Sequence, residues 1–162
     1  YNDMHVSVIT AYINGAEHTL YSPESDSGFD KIIGVCRGLK RGDIVFLSHN
    51  AYNEISTIMH VKDLYPTMDT EQVNPRSSYS YTNSYVIKKI GDEIVINSET
   101  DYKKGLSSNN LICDLTKTKN IYVVNRTEKT VKVGSKDDIE AGAVIFIRSQ
   151  YGVPYDIVIM KD

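Results

Sequence analysis

The feature that most constrains this chain is a self-similarity at an offset of 100 residues. Ile33-Gly34 matches Val133-Gly134, Leu39 matches Ile139, Gly42 matches Gly142, and Ile44-Val45-Phe46-Leu47 matches Val144-Ile145-Phe146-Ile147, with no gap. A repeated segment implies a repeated supersecondary unit. Beyond the matched run, the second hairpin loop reads as about two residues longer, which aligns Glu54-Ile55 with Asp156-Ile157 and places Met59 near Met160. Each copy then has the same order: a glycine turn, four large apolar residues in a row, a polar hairpin and a closing strand. Four consecutive apolar residues fit a strand covered on both faces, and a turn glycine fits a backbone at positive φ. Gly34, Gly42, Gly134 and Gly142 are the expected structural turns.

Periodicity elsewhere is mostly that of strands. His5 to Ile13 alternates and ends at Asn14-Gly15, the strongest short hairpin signal, so Glu17 to Tyr21 is the returning strand. Lys31 to Cys36 follows a polar loop, in a half that reads as strands throughout, and Ile55 to Val61 closes it. Between Lys62 and Ser84 the composition shifts to Pro, Ser, Thr and Asn, as in a connection between modules. At its end Tyr79, Tyr81 and Tyr85 share one parity, the period of an extended strand with a tyrosine ladder on one face. Tyr85 to Ile90, Glu93 to Asn97, Leu111 to Leu115, Ile121 to Asn125 and Thr130 to Val133 are further strands, and Ser135 caps a helical turn at Asp137-Asp138.

Composition narrows the function classes. The chain has 162 residues and a net charge of −3, with no concentrated basic block, which weighs against a nucleic-acid partner. No run approaches the roughly 20 apolar residues that cross a bilayer, so membrane insertion is not expected, and the opening residues lack the layout of a signal peptide. There are 12 Tyr, 3 Phe and no Trp. Tyrosine joins an apolar ring to a hydroxyl that tolerates water, which suits strands that are half exposed or meet other chains.

Leu39-Lys40-Arg41-Gly42-Asp43-Ile44-Val45 with Asn53-Glu54-Ile55, together with Ile139 to Arg148 and Tyr155 to Ile159, resembles the repeated β modules of clostridial surface-layer-associated extracellular proteins. The resemblance covers about two thirds of the chain and rests on little more than a turn and two strands. Ala143 stands where such modules have aspartate after the turn glycine. The resemblance implies a structural or adhesive role and supplies no catalytic residues.

The side chains that carry chemistry are sparse and scattered. His5, His18, His49 and His60 all fall in the first half, without GxSxG, HxH or HExxH context; a metal pair of His5 and His60 is outweighed by partly exposed strand histidines. Cys36 and Cys113 are too far apart in sequence for CxxC chemistry and read as separate packed thiols rather than a bridge. Glu24, Asp26 and Asp30 lack EF-hand spacing and read as a solvated loop. Asn125-Arg126-Thr127 meets the glycosylation sequon, a tripeptide frequent by chance.

These observations predict an all-β chain with minimal helix: two related small barrel or sandwich modules at 1–64 and 84–162, joined by 65–83, itself a potential edge strand. The expected function is a non-enzymatic structural or adhesive module of an extracellular or cell-surface assembly such as a surface layer or filament. Carbohydrate binding and a role in a virion or its tail are the alternatives. No cofactor or metal is expected, and the partners are other protein subunits, homo-oligomeric in the first instance, or cell-wall glycan. Tyr79, Tyr81 and Tyr85 are the candidate interface, because no charge lies between Arg76 and Lys88 to protect that strand as an edge.

Overall fold

The computed structural model describes residues 7–23, 30–60, 80–97, 104–105 and 110–161; at 30, 60 and 80–82 only the backbone is described. The chain divides into two compact units, Tyr1–Pro66 and Thr67–Asp162. Among the described residues the protein is mostly strand, with a single α-helix and no helix long and apolar enough to cross a membrane.

In the first unit, β1 (Val8–Ile13) and β2 (Ala16–Tyr21) form an antiparallel hairpin. Asn14 and Gly15 have φ of +51° and +81°, the two left-handed residues of a turn whose twist matches that of the strands. Helix α1 (Asp30–Gly38) follows, then β3 (Val45–His49) and β4 (Ile55–His60), a second antiparallel hairpin. A parallel bridge between Tyr21 and Glu54, with the Tyr21 N–H donating to the Asn53 carbonyl at 2.9 Å, joins the two hairpins. Leu20, Cys36, Ile55 and Ile58 form the buried core, and Ile32, Val35, Leu39, Val45 and Leu47 pack around it.

Helix α1 corrects the expectation of strand at Lys31 to Cys36. Ile32, Cys36 and Leu39 recur at the spacing of one helical face, while Lys31, Gly34 and Arg37 are exposed on the other. Burying that stripe outweighs the β preference of Ile and Val and the helix cost of Gly34, about 1 kcal/mol. Gly34 is therefore a mid-helix residue and not a turn.

The second unit is a seven-stranded sheet. Its strands are β5 (Ser80–Ile90), β6 (Glu93–Asn97), β7 (Leu111–Asp114), β8 (Asn120–Asn125), β9 (Thr130–Val133), β10 (Val144–Gln150) and β11 (Val153–Lys161). Their spatial order is β7-β6-β5-β10-β11-β8-β9, antiparallel throughout except for the parallel pair β11 and β8. Among the described residues the sheet ends at β7 and β9 and is not closed into a barrel. One face buries Val86, Ile94, Ile96, Ile121, Val123, Ile145, Ile147, Ile157 and Ile159, with Leu115 and Ile139 from the connections. The 3-10 turn Lys136–Asp138 is capped by Ser135, and the Asp138 carboxylate accepts from the Ser135 N–H at 2.8 Å.

The two segments matched at offset 100 fold alike from the turn onward. Gly42 and Gly142 have φ of +93° and +87°, each as third residue of a four-residue turn closed by Asp43 N–H to Lys40 O (3.0 Å) or Ala143 N–H to Glu140 O (3.1 Å). Such a turn demands positive φ at that position, and hence glycine. In the first copy the Asp43 carboxylate also accepts from Lys40 N–H at 2.8 Å; Ala143 lacks that oxygen, and the second turn is held instead by Gly142 N–H to Val86 O and Val86 N–H to Ala143 O. Both hairpins carry an irregularity in register at the same place, between Ser48 and His49 and between Arg148 and Ser149.

Upstream of the turn the match ends. Ile33-Gly34 is helical, whereas Val133 ends β9 and Gly134 follows it with a different constraint: a Cβ there would lie 2.8 Å from Val123 Cγ2. The closing strands also align differently from expectation. Phe46 pairs with Met59 and Phe146 with Val158, so the second hairpin loop is one residue shorter, not longer, and Met59 corresponds to Val158. Double coverage holds only for β10, since Phe146 is 4% exposed and Phe46 46%.

The second hairpin turns at Tyr151-Gly152, with φ of +50° and +76°. Tyr151 is 69% exposed and bears a side chain poorly suited to a left-handed residue. Tyr151→Asn is expected to raise stability by about 1 kcal/mol in chemical denaturation, because asparagine tolerates that conformation.

Candidate functional site

On the face of the large sheet opposite the core, side chains from β8, β10 and β11 converge. The Arg148 guanidinium pairs with the Asp156 carboxylate and lies 4.8 Å from the centre of the Tyr155 ring. Asn120 Nδ2 donates to the other Asp156 oxygen at 2.7 Å, and Lys119 Nζ stands 4.8 Å from the same ring. The register irregularity creates this meeting, since Arg148 pairs with Asp156 while Ser149 pairs with Pro154, leaving Tyr155 as the extra residue. Thr118 Oγ1 donates to the Pro154 carbonyl at 3.2 Å, which ties the approach to β8 to β11. Two cations face one carboxylate, so the cluster keeps a net positive charge and presents a cation-flanked aromatic ring. Strand alternation would place Tyr155 and Asp156 on opposite faces, so the sequence concealed this grouping.

The three tyrosines of the expected interface are distributed otherwise. Tyr79 lies outside the described residues, and at Tyr81 the backbone alone is described, paired with Arg148. Tyr85 is half-buried between Val144 on β10 and Asn97 on β6. Strand β5 has different partners along its length, β10 along 80–85 and β6 along 85–90, so among the described residues the segment 80–84 pairs on one side only. Among the described residues the last strand on the β6 side of the sheet is β7, where Ile112 is 71% exposed and Leu111 is also exposed.

Of the other candidates, Glu24, Asp26 and His5 lie outside the described residues, and Asp30 begins α1. Among the described residues no three His, Cys, Asp or Glu side chains gather around a common point. Cys36 and Cys113 are free thiols, Cys36 buried in the core of the first unit and Cys113 packed, partly buried, against that of the second. Burial pushes both thiols up, Cys113 to about 11. A thiol held neutral is a poor nucleophile, so native Cys113 should react slowly with a thiol reagent at pH 8 and quickly after denaturation. Its raised value also gives stability that is complete below the ordinary thiol value of 9.0 and lost as pH rises through about 11. Denaturation midpoints compared for wild type and Cys113→Ala across pH 8 to about 11 check this, with the wild type expected to lose more.

Compared with protein-family models, curated proteins and solved structures, the chain matches none. Its own geometry is that of a mostly β protein of two units, the larger a seven-stranded sheet whose last described strand, β7, is apolar and exposed at Leu111 and Ile112.

Proposed function

We propose that this chain is a non-enzymatic structural or adhesive module of an extracellular assembly, joined to its neighbours by strand addition. The observation that carries this reading is the edge strand β7. Its sequence Leu-Ile-Cys-Asp has one charge, at its end, and its exposed Ile112 is not guarded by Lys or Pro. Such an edge offers backbone donors and acceptors to an incoming strand, with apolar side chains to seat it. The similar turns and hairpins of the two units support a second element of the proposal, that one small β design has been used twice in a modular surface protein. Surface assemblies of this kind gain from units that are rigid in themselves and sticky at one edge.

The experiment is sedimentation velocity and negative-stain imaging of the purified chain over a range of concentrations, beside Ile112→Lys. Wild type should form ordered oligomers or filaments, and the lysine should abolish them while leaving the circular dichroism spectrum of the monomer intact. Oligomers that persist in the variant would overturn assembly through β7. A chain that stays monomeric at all concentrations and binds glycan saturably would replace the proposal with the carbohydrate-binding alternative.

A further inference from the structure

We propose that His18 and His49 form a two-histidine site for a divalent d-block cation of the Zn²⁺ type, with water completing the coordination. His18 lies on β2 and His49 ends β3, and their ring centres are 6.3 Å apart with the planes inclined by 39°. Metal–nitrogen bonds of about 2.0–2.1 Å, plus a ring radius on each side, place two imidazoles sharing one ion within roughly 6.5 Å of each other. The pair falls just inside that limit, and a tetrahedral angle at the ion requires the two rings to approach by about 1 Å on binding.

The surroundings of His49 supply the stronger argument. His49 Nδ1 lies 2.9 Å from the backbone carbonyl of Asn50, and a carbonyl only accepts, so Nδ1 carries the proton. In the neutral ring, Nε2 is then left with the free lone pair that a metal needs. A second nitrogen bonded to a carbonyl is the usual way a ligating histidine is oriented. That carbonyl is itself held in place. Asn50 Oδ1 accepts from the N–H groups of Tyr52 (2.9 Å) and Glu54 (3.0 Å), and Asn50 Nδ2 donates to the Glu54 carboxylate at 3.1 Å. Asn50 N–H donates to the Glu54 carbonyl, and Asn53 N–H donates to the Asn50 carbonyl.

The sequence places the two histidines 31 positions apart with no ligand motif between them, and the folded unit brings them together at the rim of its core. His18 has the parity of the buried Leu20, and His49 pairs with the buried Ile55 where the β3–β4 register shifts. Both rings thus stand on the core side of their strands but near the end, where solvent can reach an ion. Two imidazoles without a carboxylate or thiolate select borderline cations over Ca²⁺ or Mg²⁺.

The test is a titration of the full chain with ZnCl₂ in a non-chelating buffer, followed through the histidine ring resonances. The resonances of His18 and His49 should move together and saturate at one ion per chain, while Mg²⁺ in excess leaves them in place. His18→Ala and His49→Gln should each weaken binding by about tenfold or more, with the amide spectrum of the metal-free variants otherwise unchanged. Shifts confined to His5 or His60, shifts in only one member of the pair, no shift with ZnCl₂ in large excess, or a His18→Ala protein that binds as wild type would each overturn the assignment. The wild-type resonances decide the matter even if a variant fails to fold.

Discussion

Ile145→Ala is expected to destabilise the second unit by about 2–5 kcal/mol, read from chemical denaturation with circular dichroism as the signal. Ile145 is fully buried, the second residue of β10, opposite Ile159 on β11 and Ser84 on β5. Its side chain belongs to the apolar layer that also contains Ile147, Ile157 and Val86. Truncation removes three carbons from that layer and leaves a cavity that strands on both sides hold open, because their backbones are fixed by ladders to further strands. The cost belongs at the upper end of the range for that reason. Phe46→Ala, the change at a side chain that stands 46% exposed, should cost far less. Equal losses at the two sites would contradict this account of where the core lies.

Leu20→Ala should have an effect of similar size that stays within the first unit. Leu20 is fully buried and, among the described residues, shares its core with three other buried residues, Cys36, Ile55 and Ile58. A unit this small has little stability in reserve, so a loss of about 2–5 kcal/mol is expected to unfold it at ambient temperature. The amide resonances of β1 to β4 and α1 should then collapse to random-coil positions while those of β5 to β11 persist. Loss of both sets together would show that the two units fold as one.

Several local features could be read before any fold was known, because each depends on neighbours in sequence. Asn14-Gly15 specifies its hairpin through two left-handed residues, and Gly42 and Gly142 each specify a turn through one. Ser135 with Asp138 forms a cap from side chains three positions apart. The alternation along β6 and β8 marks their buried residues directly. In each case the energy that selects the structure is local, so the pattern is visible in a short window.

Helix α1 was hidden because Ile32, Ile33, Val35 and Cys36 suit a short strand as well as a helix. Only the core formed by Leu20, Ile55 and Ile58 makes the helical face the one worth burying. The candidate site was no more legible. Whether the uncharged run at Ser80 to Ile87 forms an edge or an interior strand depends on where β6 and β10 lie, which no residue in the run encodes. The Arg148, Tyr155 and Asp156 cluster depends on one unpaired residue in β11, and the His18 and His49 pair on two hairpins meeting through Tyr21 and Glu54.

The sequence by itself thus determined a mostly β chain, its tight turns, and a turn and hairpin built twice. The tertiary structure decided which strands are edges, which faces are covered and which polar side chains meet. The physical reason is range: turn and cap energies arise within about four residues, whereas burial and strand pairing depend on partners tens of residues away.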